Sequence, residues 1–156
     1  MSRKLLFAVL ALVVAALLLI FWPSGKTAED EVREVIQDMA VAAEEGDVGG
    51  VLDPLAEDWR DASGVSRKNL QMVLAREFLR GNRLSVTLGP ILVEVDEPVA
   101  NAAFEVWLAE GASDFPLWPA KNEVLRAEVE LERREGDWMV VYTRLARLDG
   151  EVVDPL

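Results

Sequence analysis

The sequence contains no cysteine and no histidine, and only one tyrosine. Without cysteine there is no disulfide framework from which to infer a redox compartment, and without histidine the commonest general base and transition-metal ligand is missing. Positive charge is scarce as well. Sixteen lysines and arginines stand against twenty-eight aspartates and glutamates, for a formal net charge of −12. Two of the positive charges, Arg3 and Lys4, precede a long apolar run, so setting those two aside leaves −14 for the rest. Such a surface repels nucleic acid, which is not expected as a partner, and anionic lipid.

The apolar run itself, Leu5 to Trp22, has no interruption. As a helix it would rise about 27 Å at 1.5 Å per residue, just enough to cross a bilayer. With Arg3 and Lys4 ahead of it, the positive-inside rule places the amino terminus in the cytoplasm and the remainder outside. The expected location is therefore the inner (cytoplasmic) membrane, single-pass. A cleaved signal peptide is the rival, but the run is long for one and small residues are poorly placed for a cut: cleavage after Ala28 leaves Lys26 at the outer position, and cleavage after Gly25 leaves Pro23 there. An uncleaved anchor is favoured. Residues 1–22 are thus read as anchor, 23–28 as a short linker, 29–148 as one domain of ordinary size, and 149–156 as a polar tail.

Thr27 followed by Asp30 marks a helix start, and Val32, Val35, Ile36, Met39, Ala40 and Ala43 recur at helical spacing until Gly46 ends the pattern. Asp47 can cap a second short helix through Leu52, and Pro54 is expected to open another turn carrying Leu55 toward Trp59. Ser66 to Arg80 repeats the amphipathic pattern before Gly81-Asn82 stops it. From Arg83 the period becomes two, with a phase shift at Gly89-Pro90 that predicts a bulge. Ala102, Phe104, Val106 and Leu108 alternate with Asn101, Ala103, Glu105 and Trp107. Leu125, Ala127, Val129 and Leu131 alternate with Arg126, Glu128, Glu130 and Glu132. Glu135-Gly136-Asp137 is a hairpin turn into a last strand on which Met139, Val141, Thr143 and Leu145 oppose Trp138, Val140, Tyr142 and Arg144. The fold class is α+β: about three helices covering one face of a curved antiparallel sheet of four or more strands.

Glu44-Glu45-Gly46-Asp47 followed by Leu52, Leu55, Asp58 and Trp59, then Gly64, the strand Val99-Ala100-Asn101-Ala102-Ala103-Phe104, and Gly136-Asp137-Trp138 give the region from about Glu29 to Leu148 its family likeness. It resembles the nuclear transport factor 2-like superfamily, in which a curved sheet wraps two or three amino-terminal helices into a cone. The resemblance implies a fold before it implies a function. That superfamily includes ketosteroid isomerases, polyketide-cyclase-like enzymes, transport adaptors and membrane-anchored bacterial envelope proteins. By the same likeness Met39, Leu55, Trp59 and Phe78 would face the cone's ligand pocket.

An isomerase of this kind needs a carboxylate base and a buried acidic donor. Aligned on Gly46-Asp47, the helix-one tyrosine falls at Met39 and the base at Ser63, or at Asp61 if two residues are deleted. Asp58 and Asp61 therefore remain the catalytic candidates, set against a capping or solvated role for both. Asp53, Glu57, Asp58 and Asp61 match no calcium loop, so no metal and no cofactor is expected. Glu105, Arg126 and Arg144 are placed for cross-strand pairs. Trp107, Trp138 and Tyr142, read as outward-facing, and Phe115 and Trp118 in the apolar loop Phe115-Pro116-Leu117-Trp118-Pro119 are candidates for an interface, unless sheet curvature or the loop covers them. The functional expectation is a membrane-tethered, non-enzymatic envelope protein binding an apolar small ligand or a protein partner, which includes a second copy of itself. An isomerase- or cyclase-like enzyme using an aspartate base is the alternative.

Overall fold

A computed structural model describes residues 25–82, 85–108 and 124–148. The apolar run Leu5–Trp22, the loop residues Phe115 and Trp118, and the tail lie outside the described residues. Among the described residues no helix is long and apolar enough to cross a membrane.

The first helix, α1 (Ala28–Glu45), begins where the Thr27 side chain accepts a hydrogen bond from the Asp30 amide at 3.2 Å, and ends at Gly46, whose φ of 75° is left-handed. A one-turn helix, α2 (Val48–Leu52), follows from Asp47, which occupies the cap position without a side-chain cap bond. Chain direction then departs from expectation. Leu55–Asp61 is not a helical turn but a strand, β1, lying parallel to the last strand. The third helix, α3 (Arg67–Leu79), is capped by Ser66, which accepts from the Asn69 amide at 3.3 Å, and its end is turned by Gly81 at φ 83°.

Strands β2 (Val86–Leu88), β3 (Leu92–Asp96), β4 (Val99–Leu108), β5 (Val124–Arg134) and β6 (Asp137–Arg147) complete the sheet. The order is β1-β6-β5-β4, with β2 and β3 both on the free side of β4. The sheet is thus six-stranded and mixed, which corrects the all-antiparallel expectation. Helices pack on one face, and the class is α+β.

Bulges curve the sheet. Leu88 faces Val106 and Leu92 faces Ala103, so four steps on one strand meet three on the other, at the predicted Gly89-Pro90 site. In β6, Tyr142 faces Glu130 while Val140 faces Leu131, which leaves Val141 as an extra residue. A larger excess lies in β1, where five steps from Leu55 to Arg60 meet two from Val140 to Tyr142. Two side chains of α1 tie down the β2–β3 edge: Glu44 accepts from the Val86 amide at 3.1 Å, and Arg33 donates to the Ile91 carbonyl at 3.3 Å. Between helices and sheet, Val32, Leu125, Leu131 and Val140 are shut off from water, each worth roughly 1.5–3 kcal/mol of burial.

Trp138 needs correction. The sequence pattern points it outward, yet it is only 4 % exposed. The extra residue at Val141 reverses the alternation midway along β6, so Trp138 and Val140 point inward before it and Thr143 and Leu145 point inward after it. The indole lies under the Arg133 guanidinium, 4.5 Å from ring centre, and donates to Glu31 Oε2 at 3.1 Å. Arg133 also reaches Glu31 at 2.7 Å and Glu97 at 3.0 Å. This cluster joins α1 to the two hairpin ends and closes one end of the interior.

Candidate functional site

At the other end the interior is not filled. A cavity of about 250 Å³ lies between α1, α3 and the concave sheet. Small side chains leave the space: Ala40 and Ala43 on α1 and Ala127 on β5 all line it, while Phe104, Val129 and Leu74 supply bulk around them. The rim is formed in part by Ala62 and Ser63, both exposed.

Among the described residues the polar groups of the lining are few and meet at one place. Trp59 Nε1 donates to Thr143 Oγ1 at 3.1 Å. Thr143 is the cross-strand partner of Asp61, and the Ala62 amide donates to the Thr143 carbonyl at 2.9 Å. Among the described residues Asp61 is the one charged residue in the lining, and no described lysine or arginine joins it there.

Asp61 is also engaged in its own turn. Its Oδ1 accepts from the Ser63 amide at 3.0 Å, the Ser63 hydroxyl at 2.9 Å and the Val65 amide at 2.7 Å, whereas Oδ2 shares only the Ser63 hydroxyl, at 2.9 Å. Gly64, at φ 88°, gives the turn the left-handed residue it requires. The carboxylate therefore shapes the loop while Asp61 also lines the cavity.

This arrangement of helices over a strongly curved sheet is shared with solved structures. An NTF2-like protein from Cytophaga hutchinsonii superposes with a TM-score of 0.65 at 12 % identity, covering 78 % of this chain and 99 % of that one. The fold is NTF2-like. An NTF2-like protein of unknown function from Pseudomonas putida KT2440 gives 0.61 at 20 % identity, over 83 % of this chain and 95 % of that one. An NTF2-like protein with a cystatin-like fold from Novosphingobium aromaticivorans gives 0.61 at 19 % identity, over 96 % and 92 %. No protein-family model matches the chain, and neither does any curated protein. Identities this low speak for the NTF2-like fold alone.

Within that fold the residues singled out in the sequence separate. Met39, Leu55, Trp59 and Asp61 line the cavity. Phe78, expected there, is buried in the neighbouring core instead and is absent from the lining. Asp58 lies away from it, exposed, with its two oxygens on Arg134 at 2.7 and 3.2 Å. That guanidinium holds the Asp58 carboxyl below the usual carboxylate range, and Arg134 is raised in turn, first by Asp58 and then by Glu132. Asp53 and Glu57 are exposed, and among the described residues no three carboxylates gather around a common point.

On the outer sheet face Trp107 and Tyr142 remain 38 % and 39 % exposed. They do not form one patch. Tyr142 is level with Glu130 and hence with Asn101, six residues from Trp107 along β4, which is about 20 Å at roughly 3.4 Å per residue. Between them Glu128 forms ion pairs with Arg126 at 3.6 Å and Arg144 at 3.5 Å, and Glu105 stands opposite Arg126.

Thr143, Ala40, Ala43 and Ala127 were not identified as pocket residues from the sequence. Their signal was the placement of small or hydroxyl-bearing side chains at inward positions.

Proposed function

We propose that this chain is a membrane-tethered, extracytoplasmic protein whose NTF2-like domain binds a small apolar molecule. The observation that carries the reading is the cavity: apolar walls, space left by inward alanines and, among the described residues, a single cluster of polar groups at the rim. Its volume lies just below the range of roughly 300–1,000 Å³ usual for ligand clefts, and an apolar hole of about 150 Å³ is enough for benzene, so one ring with a short chain fits. The tether rests on the apolar run Leu5–Trp22 with Arg3 and Lys4 before it. Of the two binding readings, partner or apolar ligand, the cavity favours the second, since the outer aromatics are separated by a charged ladder.

One observation favours an enzyme: Asp61 lines the cavity, where an isomerase-like base would act. Against it, two backbone amides and a hydroxyl already bond that carboxylate, and among the described residues neither a tyrosine nor a second carboxylic acid is in the lining to stabilise an enolate. Binding without turnover accounts for both features.

The test is a titration of the full chain in lipid nanodiscs with propylbenzene, read on the Trp59 indole N–H resonance and corrected for uptake by empty nanodiscs. Saturable movement of that resonance is expected. A resonance that does not move at the solubility limit would sink the ligand reading, and full-length protein recovered in the soluble fraction after cell lysis would sink the tether.

A further inference from the structure

The rim cluster carries both halves of a hydrogen-bonding pair. Thr143 Oγ1 accepts from Trp59 Nε1, which leaves the hydroxyl proton of Thr143 free to donate, and no bond donated by it is found among the described residues. Among the described residues Asp61 Oδ2 receives only a proton already shared with Oδ1 and so keeps unused acceptor capacity. The two residues face each other across the β1–β6 pairing, so their side chains rise from adjacent strands at the same level. One ligand atom can meet both.

We infer that the bound molecule ends in a hydroxyl group, as an alcohol or phenol, held between Asp61 and Thr143, and that carboxylate-ended molecules are excluded. This rests on the cavity reading above and specifies its ligand class. A hydroxyl donates to Asp61 Oδ2 and accepts from Thr143 Oγ1, which satisfies both with one atom. A carbonyl or ether accepts from Thr143 but leaves the spare acceptor capacity of Asp61 Oδ2 unused. A carboxylate meets the Asp61 charge at an apolar wall where, among the described residues, no lysine or arginine lines the cavity to offset it.

Charge then acts as the selector. Apolar walls hold a ring or short chain of any kind, and the rim separates neutral hydroxyl compounds from fatty-acid-like anions of the same size.

A matched series decides the matter: propylbenzene, 4-propylphenol and 4-propylbenzoate with the full chain in nanodiscs at about pH 7.5, free ligand being set by equilibrium dialysis. The phenol is expected to bind about tenfold more tightly than propylbenzene, the size of one net hydrogen bond, and the benzoate at least about tenfold more weakly. Thr143→Val removes the phenol's advantage while propylbenzene still binds, Thr143→Ser retains it, and Asp61→Asn relieves the benzoate's disadvantage. Equal affinity for phenol and propylbenzene in the parent protein, or a benzoate as tight as propylbenzene, overturns the inference and leaves the cavity reading intact. Failure of propylbenzene itself to bind removes that reading and the inference with it.

Discussion

Glu77 accepts a 2.6 Å hydrogen bond from the side-chain amide of Asn82, closing the last turn of α3 onto the residues that follow it. Arg76 at 3.0 Å and Arg80 at 3.4 Å also donate to it, and the side chain is only 2 % exposed. These donors, Asn82 first, hold the Glu77 carboxyl below the usual range despite its burial. A depressed folded value stabilises the native state above the unfolded carboxyl value of about 4.3, and that contribution is lost as pH falls through the lower folded value. The stability difference between the parent and Glu77→Gln should therefore stay level from neutral pH to about 5 and shrink below about 4. Urea denaturation at several pH values checks it, and a difference that holds level to about pH 3 contradicts it.

What was legible beforehand is chemistry that acts within a few residues. Thr27 as a cap, the helix beginning near Ser66, Gly46 and Gly81 as stops, the Gly89-Pro90 bulge and the alternation of β4 and β5 all appear where their residue types place them. Leu55–Asp61 was illegible because its partner Val140–Thr143 lies some eighty residues away, and the three excess residues within it destroy any alternation. The bulge at Val141 has no glycine or proline to announce it, so one phase was carried along the whole of β6 and Trp138 was put on the wrong face. The cavity was hidden for a related reason. Ala40, Ala43 and Ala127 count as apolar in any pattern, and only their placement opposite one another shows that nothing fills the space.

Trp138 and Trp107 looked alike in sequence and should respond differently to truncation. Trp138 is buried, stacked on Arg133 and bonded to Glu31, so Trp138→Ala is expected to cost about 3–5 kcal/mol. Trp107 lies half-exposed on the outer face, and Trp107→Ala should cost about 1 kcal/mol. Equilibrium denaturation compares them directly; similar losses would mean that the phase reversal in β6 is wrong.

Gly89 owes its identity to the Trp107 ring. A Cβ placed there would stand 2.8 Å from one ring carbon and 3.0 Å from another, closer than packed atoms sit. Gly89→Ala should destabilise the protein by about 1–3 kcal/mol and shift the tryptophan emission as the indole is displaced. In a Trp107→Thr background the same alanine should cost markedly less, because the clash has gone. An undiminished cost would assign the glycine to backbone conformation at the bulge instead.

Glu135 adopts a φ of 53° at the tip of the β5–β6 hairpin, beside Gly136 at 95°. Two successive left-handed residues are what a tight hairpin turn needs, and glutamate fills the first position poorly. Glu135→Asn should raise stability by about 0.5–1 kcal/mol without touching the cavity, so propylbenzene affinity stays constant while the denaturation midpoint rises. A fall in stability would show that the glutamate side chain makes up for its backbone.

Ala127 allows the cavity to be tested by filling it. The residue is 2 % exposed, lies opposite Phe104 across β4–β5 and lines the empty space. In a solid core Ala127→Leu would force neighbours off their rotamers at about 1–3 kcal/mol. Here the added carbons enter the void, so the cost is expected to stay below about 1 kcal/mol, or the change to stabilise, since filling a cavity recovers contacts that its walls lack. Propylbenzene should no longer move the Trp59 resonance in this variant. Retained stability with lost binding is the signature of a space built for a ligand, whereas a large loss of stability would mean that the interior is already full.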